Sequence, residues 1–386
     1  MRIGIDASRV PTTQRPRTGT ETYSRELIAR LLPLLTRAGH QVLLYTPVPL
    51  TPEHFGLTAW PSRVHTEVIS LPRLWTHVGL GSRLWRDPPD VLFIPAHVVP
   101  ILPPRGVPIL VTVHDLGYEH EPEAHPRLQR AYLRWSTRHS ASRARVVLAD
   151  SRATAQDLTR WYHIPESKIR VLYPGFSPPP SPSPARIQAV RQRYGLSEPY
   201  FLFVGTLHPR KNVHRLLDAF AQVKDVPLQV EQARSAGPVH LALAGRVGWK
   251  AQGILARGQA PDLRSRVHML GYVPDEDLPP LMAGATALVF PSLYEGFGFP
   301  VLEAQALRVP VLTSDVASLP EVAGQGALYV DPHQVRSIAD GMRRLLEDPA
   351  LRRRLVQEGA RNVGRFSWDR SARQVWHLME EVGKRR

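Results

Sequence analysis

Residues 200–220 read YFLFVGTLHPRKNVHRLLDAF and contain one complete strand–turn–helix unit. Residues 200–204 are a short apolar run of the kind that forms a buried parallel strand. A turn follows at Gly205, and the apolar residues from Val213 to Phe220 recur at helical spacing. A strand, a glycine turn and a helix in this order form the repeating unit of doubly wound α/β domains.

The same unit recurs on both sides of this stretch. In the 386-residue chain, short apolar runs separated by helical patterns predict parallel strands at 3–5, 42–45, 91–94, 109–113, 146–148, 169–172, 200–204, 239–244, 267–270, 287–290, 309–312 and 327–330. The proline-rich segment 174–184 interrupts the rhythm, because consecutive prolines favour an extended connector. The sequence therefore predicts two doubly wound α/β domains, over residues 1–180 and 181–365, with ligands at the carboxyl ends of their strands in a cleft between them.

Composition excludes several kinds of chemistry and leaves the partner open. The chain has 49 Lys and Arg residues against 34 Asp and Glu residues, a formal net charge of +15, and it contains no cysteine. Disulfides, thiol nucleophiles and cysteine-bound zinc are therefore excluded. No segment reaches the ~20 apolar residues of a membrane span, and residues 1–8 lack the features of a secretory signal, so we expect a cytoplasmic protein. The positive charge leaves a basic, nucleic-acid-binding α/β protein open as an alternative.

Residues 291–304, PSLYEGFGFPVLEA, place two carboxylates eight residues apart. Gly296 and Gly298 permit a tight approach of the backbone, and the proline that follows suits a helix start, which predicts Glu303 in the first helical turn. Amides of such a loop can bind phosphate or hydroxyl oxygens. Taken alone, Glu295 also fits a solvated turn, and Glu303 also fits compensation of the helix dipole.

Residues 205–212 add two adjacent cations, Arg210 and Lys211, after the glycine turn. Asn212 is predicted to cap the helix that follows. A guanidinium and an ammonium beside exposed helix amides suit a diphosphate. A solvated basic turn is the alternative.

Two stretches of the first half also indicate ligand contacts. Thr18 and Glu21 match a capping box at a helix start, and Gly19 would let a sugar or phosphate approach that helix end. A simple helix start explains the same residues. His114 follows strand 109–113 and fits either a hydrogen-bonding, proton-handling group or an ordinary strand-end histidine.

Together these motifs resemble the retaining nucleotide-sugar glycosyltransferases of family 4, over nearly the whole chain. The signature is the carboxylate pair Glu295 and Glu303 with seven residues between them. The resemblance implies the GT-B fold, two Rossmann-like doubly wound parallel-sheet domains facing a central cleft. The first domain would bind the acceptor, with the C-terminal helix 366–386 packing back on it, and the second would bind the nucleotide-sugar donor.

The resemblance also implies roles for single residues. Glu303 would bind the donor ribose, and Glu295 would lie by the leaving phosphate and the donor sugar. Arg210 and Lys211 would neutralise the diphosphate, and His114 would contact the transferred sugar. The remaining donor-binding residues would be Gly19, Thr206, Arg246, Tyr272, Gly296, Phe297, Gly298 and Phe299. Many relatives carry arginine at the position of Thr206, so the resemblance does not say which cation stabilises the phosphates most.

The form of residues 205–212 resembles that of bacterial mannosyltransferases. It implies GDP-mannose as the donor and a glycan, lipid-linked or small-molecule acceptor in polysaccharide biosynthesis. Retention in this family is generally ascribed to attack on the face of the leaving phosphate, so fixed cations and amides would lower the barrier without a protein nucleophile. We expect no cofactor and no obligatory metal, because Asp275 and Asp277 precede a predicted helix start, where acids suit the dipole. A GT-B epimerase or phosphorylase is the alternative within the fold.

One stretch of the chain concentrates positive charge on a predicted helix face. Its arginines are spaced three, four and four residues apart, at Arg127, Arg130, Arg134 and Arg138. Leu128, Tyr132 and Trp135 lie on another face. Such a helix could rest on the anionic inner face of the plasma membrane or meet an anionic acceptor. A solvated helix backed onto the core is the alternative.

Overall fold

The computed structural model describes residues 1–11, 18–71, 73–96, 98–124, 126–196, 199–229 and 238–384. The chain forms two units. The first unit comprises Met1–Glu119, Pro126–Ser177 and Phe366–Arg386. The second comprises His120–His125 and Pro178–Arg365.

The first unit is built on a parallel sheet of seven strands in the order β3-β2-β1-β4-β5-β6-β7. The strands are β1 (Arg2–Asp6), β2 (Gln41–Thr46), β3 (Val64–Val68), β4 (Val91–Ile94), β5 (Ile109–Val113), β6 (Val146–Ala149) and β7 (Ile169–Val171). The helices between them are α1 (Gly19–Arg37), α2 (Gly81–Arg86), α3 (Gly117–His120, whose last residue falls in the second unit), α4 (Arg127–Arg143) and α5 (Arg152–Tyr162). A π-helical turn, Trp75–Leu80, precedes α2.

The second unit is built on a parallel sheet of six strands in the order β10-β9-β8-β11-β12-β13. The strands are β8 (Tyr200–Val204), β9 (His240–Ala244), β10 (Val267–Gly271), β11 (Ala287–Phe290), β12 (Val311–Ser314) and β13 (Leu328–Val330). The helices are α6 (Pro184–Arg193), α7 (Val213–Ala221), α8 (Gln252–Gly258), α9 (Leu278–Ala283), α10 (Phe299–Ala306), α11 (Leu319–Ala323), α12 (Val335–Glu347) and α13 (Pro349–Val363).

The twelve strands that the sequence predicts are all present, with bounds that differ by at most two residues. Their residues are largely buried, because a parallel sheet covered by helices on both faces needs continuous apolar runs. Strand β3 was not predicted. It lies at the sheet edge, where Val64 and Glu67 are half-buried and its other three residues are exposed, so it lacks the apolar run of its neighbours.

The last helix, α14 (Trp368–Lys384), packs on α1 in the first unit. Its start lies against the chain near Gly175, where an added Cβ would overlap the backbone nitrogen of Trp368. The Ser371 hydroxyl donates a 2.8 Å hydrogen bond to the Tyr173 carbonyl. Glycine is therefore required at position 175 for this close approach. Within the described ranges, no helix is long and apolar enough to cross a membrane.

In both sheets the chain reverses its direction of winding at one point. The reversal lies between β1 and β4 in the first unit and between β8 and β11 in the second. Ligands of doubly wound sheets bind outside the carboxyl ends of the strands at this switch point. Residues 205–212 and 291–304 follow β8 and β11, so both motifs lie at the switch point of the second unit.

Candidate active site

The loops that follow β8 and β11 contact each other directly. The Leu293 amide donates a 2.9 Å hydrogen bond to the Arg210 carbonyl. In the other direction, the Arg210 guanidinium donates a 3.0 Å hydrogen bond to the Tyr294 carbonyl. The structure therefore brings the two motifs of the sequence together into one surface.

Glu295 is buried between the two cations of this surface. Lys211 Nζ lies 2.6 Å from Glu295 Oε1, and an Arg210 guanidinium nitrogen lies 3.6 Å from Oε2. The Lys211 ammonium also lies 4.9 Å from the centre of the Phe290 ring. Burial acts to raise the pKa of the Glu295 carboxyl, but the charges of Lys211 and Arg210 outweigh it, and the net pKa is lowered. Glu295 is therefore an ionised acceptor that orients both cations.

Two glycine amides of the 291–304 loop have a fixed direction. The hydroxyl of Ser318 lies 2.8 Å from the carbonyl oxygens of both Glu295 and Phe297. The peptide bonds are trans, so each carbonyl and the amide that follows it point in opposite directions. The N–H groups of Gly296 and Gly298 consequently point away from Ser318. Within the described part of the chain, no protein group accepts a hydrogen bond from either amide, which suits binding of a ligand oxygen.

Buried side chains also donate hydrogen bonds to three other backbone carbonyls, those of Phe290, Pro291 and Ser292. Thr313 Oγ1 donates to the Phe290 carbonyl at 2.9 Å, and Ser314 Oγ donates to the Ser292 carbonyl at 2.7 Å. Both hydroxyls come from the carboxyl end of β12. The polar groups of the loop that face the core are thereby satisfied.

Asn212 holds the third carbonyl. Its side-chain amide donates to the carbonyls of Pro291 and Pro332, at 3.0 and 2.7 Å. The predicted cap was wrong in this respect, because Asn212 stands at the start of α7 but its side chain makes no cap hydrogen bond. Its φ of 60° is left-handed, a conformation that asparagine tolerates better than most residues.

The turns after β8 and β9 require glycine. Gly205 and Gly245 have φ values of +148° and +156°, and a Cβ added at Gly245 would overlap the Gly205 carbonyl. Beyond these turns, Thr206 is exposed, and its methyl carbon would lie 2.7 Å from a Cβ added at Gly248. The tight turns bring the residues that follow β8 and β9 side by side.

Two residues expected to border the base also meet in the structure. The Arg246 guanidinium lies 5.0 Å from the centre of the Tyr272 ring, a cation–π contact. Arg246 follows β9 and Tyr272 follows β10, so adjacent strands deliver them. Both side chains are exposed and present a flat polar and aromatic surface.

Glu303 is the fifth residue of α10 and lies beyond its first turn, contrary to the prediction, because the helix begins at Phe299. Compensation of the helix dipole therefore does not account for it. Burial, with a contribution from the charge of Asp275, raises the pKa of the Glu303 carboxyl to about 7. Because ionisation of the Glu303 carboxyl is unfavourable without a ligand, a ligand that donates hydrogen bonds to the carboxylate would stabilise its charge strongly.

His114 lies in the first unit, at the end of β5. Its Nε2 is 2.9 Å from the Pro95 carbonyl and its Nδ1 is 2.7 Å from Asp150 Oδ2. A carbonyl only accepts, so Nε2 carries a hydrogen, and Nδ1 and Asp150 share one further proton. Burial acts to lower the pKa of the imidazole, but the Asp150 carboxylate outweighs it, and the net pKa is raised. Both ring nitrogens therefore have protein partners within the first unit.

Gly19 is also in the first unit, as the exposed first residue of α1. The predicted capping box is confirmed: the Thr18 hydroxyl accepts from the Glu21 amide, and the Glu21 carboxylate accepts from the Thr18 amide. These bonds account for Thr18 and Glu21 without a ligand.

One of the two aspartates before α9, Asp277, has three protein partners. Asp277 is buried, and its two oxygens each lie 2.7 Å from an arginine, Arg186 and Arg193. The Tyr194 hydroxyl donates a further hydrogen bond at 3.1 Å. Asp277 therefore fastens α6 to the start of α9.

Helix α4 buries one narrow face and exposes its large apolar residues. Its buried residues are small, namely Ser136, Thr137, Ser140 and Ala141. The larger residues of the helix face outward, with Leu128, Tyr132 and Trp135 between 44% and 89% exposed. Arg127 and Arg138 are exposed, and Arg134 pairs with the buried Glu119 at 2.8 Å.

The sequence did not predict the buried side chains that support the loop of the site through hydrogen bonds. Ser318, Thr313 and Ser314 are buried hydroxyls that donate to loop carbonyls. Their only sequence signal is a polar residue at or near a strand end.

Comparison with known proteins now identifies the family. The sequence model of Glycosyltransferase Family 4 matches residues 18–178, and that of Glycosyl transferases group 1 matches residues 187–362. The O-antigen chain mannosyltransferase B of Escherichia coli is 35% identical over 276 residues, which cover 71% of this chain and 70% of that protein. The chain belongs to the family 4, group 1 glycosyltransferases. This membership favours a glycosyltransferase over the nucleic-acid-binding alternative.

Other relatives of this glycosyltransferase support the family and the fold. The alpha-D-kanosaminyltransferase of Streptomyces kanamyceticus is 27% identical, over 72% of each chain. The crystal structure of Anabaena HepE in complex with UDP and glucose superposes with a TM-score of 0.71 at 18% identity, over 99% of this chain and 100% of that one. The predicted GT-B fold of two parallel-sheet α/β domains is thereby confirmed.

Proposed function

We propose that this glycosyltransferase transfers a hexose, with mannose as the first candidate, from a nucleoside diphosphate sugar to a glycan with retention of configuration. One observation carries the proposal: Arg210 and Lys211 contact Tyr294 and Glu295 at the switch point of the second unit, and the next loop amides, those of Gly296 and Gly298, have no protein acceptor among the described residues. Guanidinium, ammonium and amide groups are the donors that diphosphates bind in proteins.

The arrangement suits a leaving group that gains negative charge. Breaking the bond between the sugar and the diphosphate leaves charge on the phosphate oxygens, and donors fixed beforehand stabilise it without reorganisation. Glu295 keeps Lys211 and Arg210 in place, and Ser318 keeps the amides in place. In this proposal the two cations supply the charge that a metal ion would otherwise supply, so no metal is required for turnover.

The nucleoside occupies the surface beside the phosphates. Glu303 accepts hydrogen bonds from the ribose hydroxyls, and its raised pKa makes these bonds the main stabilisation of its charge. Arg246 and Tyr272, which form a cation–π contact, border the base. Thr206, Phe297 and Phe299 also contact the donor. Gly19 has no side chain and therefore lets a sugar or phosphate approach the start of α1.

His114 contacts the transferred sugar through its Nε2 hydrogen, which the Pro95 carbonyl accepts in the empty protein. Asp150 fixes the ring orientation through Nδ1. The pair does not need to act as a nucleophile in this proposal, because the leaving phosphate assists the incoming hydroxyl.

GDP-mannose is the first donor to test, because the O-antigen relative is named as a mannosyltransferase, whereas the HepE structure contains UDP. The experiment incubates the chain with GDP-mannose, UDP-glucose, UDP-galactose and ADP-glucose and measures the released nucleoside diphosphate. We expect release of GDP from GDP-mannose in the presence of chelator. The Lys211→Ala variant, assayed in the same way, is the control. Turnover of none of these sugars, or turnover that needs added magnesium or manganese, would contradict the proposal. Retention is checked by the anomeric coupling constant of the product.

A lipid-linked acceptor would place the first unit at a membrane surface. Helix α4 exposes the apolar side chains of Leu128, Tyr132 and Trp135, and two neighbouring segments expose those of Val78, Trp85 and Leu102. The first segment contacts α4 through His77 and Tyr132, and the second through Pro100 and His139. The His77 ring joins them through contacts with Tyr132 and Trp135 at 6.5 and 6.0 Å. With Arg127 and Arg138 beside them, these aromatics suit the interface of an anionic bilayer, and we propose this surface as a peripheral membrane contact.

Co-sedimentation with phosphatidylglycerol vesicles tests the membrane contact. Arg127→Glu with Arg138→Glu should reduce the bound fraction several-fold, because each basic residue contributes about 1 kcal/mol near such a surface. Arg336→Glu with Arg354→Glu makes the same charge change on exposed residues of the second unit and serves as the control. Equal binding of both variants would refute the assignment.

A further inference from the structure

The second unit includes a short segment from the first half of the chain, His120–His125. Two side chains of this segment contact loops at the carboxyl ends of the six-stranded sheet. The His120 ring stacks on the ring of Tyr294, which belongs to the loop after β11. Glu123 Oε2 lies 3.4 Å from Lys250 Nζ, in the loop after β9. The donor site proposed above does not include this segment.

The segment bridges the two loops that flank the cations of the site. The strand order is β9-β8-β11, so the loop after β8, with Arg210 and Lys211, lies between the two loops that the segment contacts. The ion pair of Glu123 and Lys250 is weak, because these side chains are 91% and 47% exposed and water screens their charges. The stacking contact on Tyr294 is therefore the one that can fix a position.

The stacking contact closes one face of a buried ring. The centres of the His120 and Tyr294 rings lie 4.2 Å apart, and the ring planes differ by 20°. Tyr294 is only 2% exposed, whereas His120, at the end of α3, is an exposed residue. Stacked aromatic rings attract each other in addition to the surface that they bury. A residue at the protein surface thus restrains the side chain of Tyr294.

The backbone at Tyr294 is connected to both cations of the site. Its carbonyl accepts a 3.0 Å hydrogen bond from the Arg210 guanidinium. The next residue, Glu295, holds the Lys211 ammonium at 2.6 Å. A displacement of Tyr294 would therefore move the acceptors of both cations. Such a displacement matters for catalysis, because a shift of about 1 Å in a positioned group can lower a rate about 10²-fold.

We propose that His120 is a positioning residue, whose ring holds Tyr294 and thereby the loop that fixes Arg210 and Lys211 for the donor diphosphate. This inference rests on the proposed function of the site, but the stacking itself is testable without turnover. His120 acts through Tyr294, and the role requires an aromatic ring at position 120. Phenylalanine should therefore replace histidine there, and alanine should not.

The first experiment tests the stacking in the full chain without a substrate. The histidine rings are labelled with ¹³C, and the His120→Phe variant identifies the His120 signal in a ¹³C–¹H spectrum. The Tyr294 ring current shields protons of a stacked imidazole, so Tyr294→Leu should move the His120 signal downfield. The His377 signal should not move and reports an intact fold, because that ring stacks on Trp376 in α14. An unmoved His120 signal would overturn the proposal.

The second experiment measures turnover of the nucleotide sugar. His120→Ala should lower kcat about tenfold and change the KM for the donor by less than about twofold, because fixed cations act most strongly on the charge of the transition state. His120→Phe should restore most of the wild-type kcat. Wild-type kcat in His120→Ala, or a phenylalanine variant as slow as the alanine variant, would refute the positioning role.

A matched histidine controls for the loss of an exposed stacked ring. His377 is exposed, and its ring plane also differs by 20° from that of the aromatic ring on which it stacks. His377→Ala should leave kcat unchanged. Equal losses of kcat in His120→Ala and His377→Ala would contradict the assignment to His120.

A double-mutant cycle separates positioning from a loss of fold. His120→Ala combined with Tyr294→Leu should be no slower than Tyr294→Leu alone, because both changes remove the same contact. The Tm of His120→Ala should stay within about 4 °C of the wild type, since the residue is exposed. Losses of kcat that multiply in the double variant would show that His120 does not act through Tyr294.

The outcomes distinguish this inference from the function on which it rests. If Tyr294→Leu moves the His120 signal but no nucleotide sugar is turned over, the stacking stands and the proposed function fails. If the wild type turns over a donor and His120→Ala is equally fast, the proposed function stands and the positioning role fails.

Discussion

Lys211 Nζ lies 2.6 Å from Glu295 Oε1, across the two loops that follow β8 and β11. This ion pair joins residues 84 positions apart in the sequence and is buried at the switch point of the sheet. Because burial and two cations act on one carboxylate, the pair fixes both the charge and the position of the ammonium before any donor binds.

Lys211→Ala should lower kcat about 10²–10³-fold, because it removes one donor from a developing phosphate charge and leaves Glu295 buried beside a single cation. Steady-state release of nucleoside diphosphate measures the change. Lys224→Ala is the matched control, since Lys224 pairs with Asp225 at the same distance of 2.6 Å but with an exposed carboxylate. Equal rates in the two variants would contradict the role assigned to Lys211.

Ser318→Ala should reduce kcat/KM for the donor by about tenfold, because the peptide groups that carry the Gly296 and Gly298 amides lose their shared anchor. The fold should persist, since one buried hydroxyl contributes about 1 kcal/mol. Ser142→Ala removes an exposed hydroxyl that also donates to a carbonyl, that of His139, and should have no effect. The result that counts against the anchor is a Ser318→Ala enzyme with wild-type donor kinetics.

Glu303→Gln should increasingly stabilise the empty protein, relative to the wild type, as the pH rises from 5 to 8. The folded carboxyl has a pKa of about 7 against a usual value of 4.5, so between these values the folded state holds more protons and the wild-type free energy of unfolding falls. The glutamine variant does not lose stability in this way, so its free energy of unfolding should exceed that of the wild type by about 1–3 kcal/mol at pH 8. Urea unfolding at several pH values measures it. Donor binding should weaken in the same variant, and Glu347→Gln, on an exposed carboxylate, is the control.

Asp150→Asn should lower the pKa of His114 below its usual 6.5. The carboxylate is what outweighs burial, and asparagine can donate to the neutral imidazole at Nδ1. The shift is measured by the pH titration of the imidazole resonances. Asp115→Asn removes a weaker attraction on the same ring and should move the pKa less. An unchanged His114 titration in Asp150→Asn would show that the two groups do not share a proton.

Gly245→Ala should destabilise the second unit by about 2–4 kcal/mol, because alanine would combine a φ of +156° with an overlap on the Gly205 carbonyl. Thermal unfolding measures the loss. Gly253→Ala is the matched control, since this glycine lies in α8 with nothing within 4 Å of an added Cβ. There alanine should be neutral or stabilising by up to about 1 kcal/mol.

The sequence predicts the sheets well because buried parallel strands need continuous apolar runs, which are visible without tertiary information. Strand β3 is an exception, because it lies at the sheet edge and only its two terminal residues, Val64 and Val68, are apolar. The contact between the loops of Arg210 and Glu295 also follows from topology, as β8 and β11 are neighbours only when the winding reverses between them.

Partners that depend on side-chain direction could not be predicted. Ser318 and Thr313 look like ordinary small polar residues in the sequence, and only the fold places their hydroxyls behind loop carbonyls. Asn212 has the residue type of a helix cap, yet its left-handed backbone sends the amide to Pro291 and Pro332 instead. In α4, Tyr132 and Trp135 have helical spacing typical of a buried face, but small residues fill that place.

The placement of α14 in the first unit sets an order for synthesis. The second unit is complete once residue 365 has been made, whereas the first unit still lacks the helix that covers α1. Domains usually fold in the order in which they leave the ribosome. In this glycosyltransferase the domain that begins first must therefore finish last, because the Tyr23 ring of α1 meets its partner Trp368 only after the whole second unit has been translated.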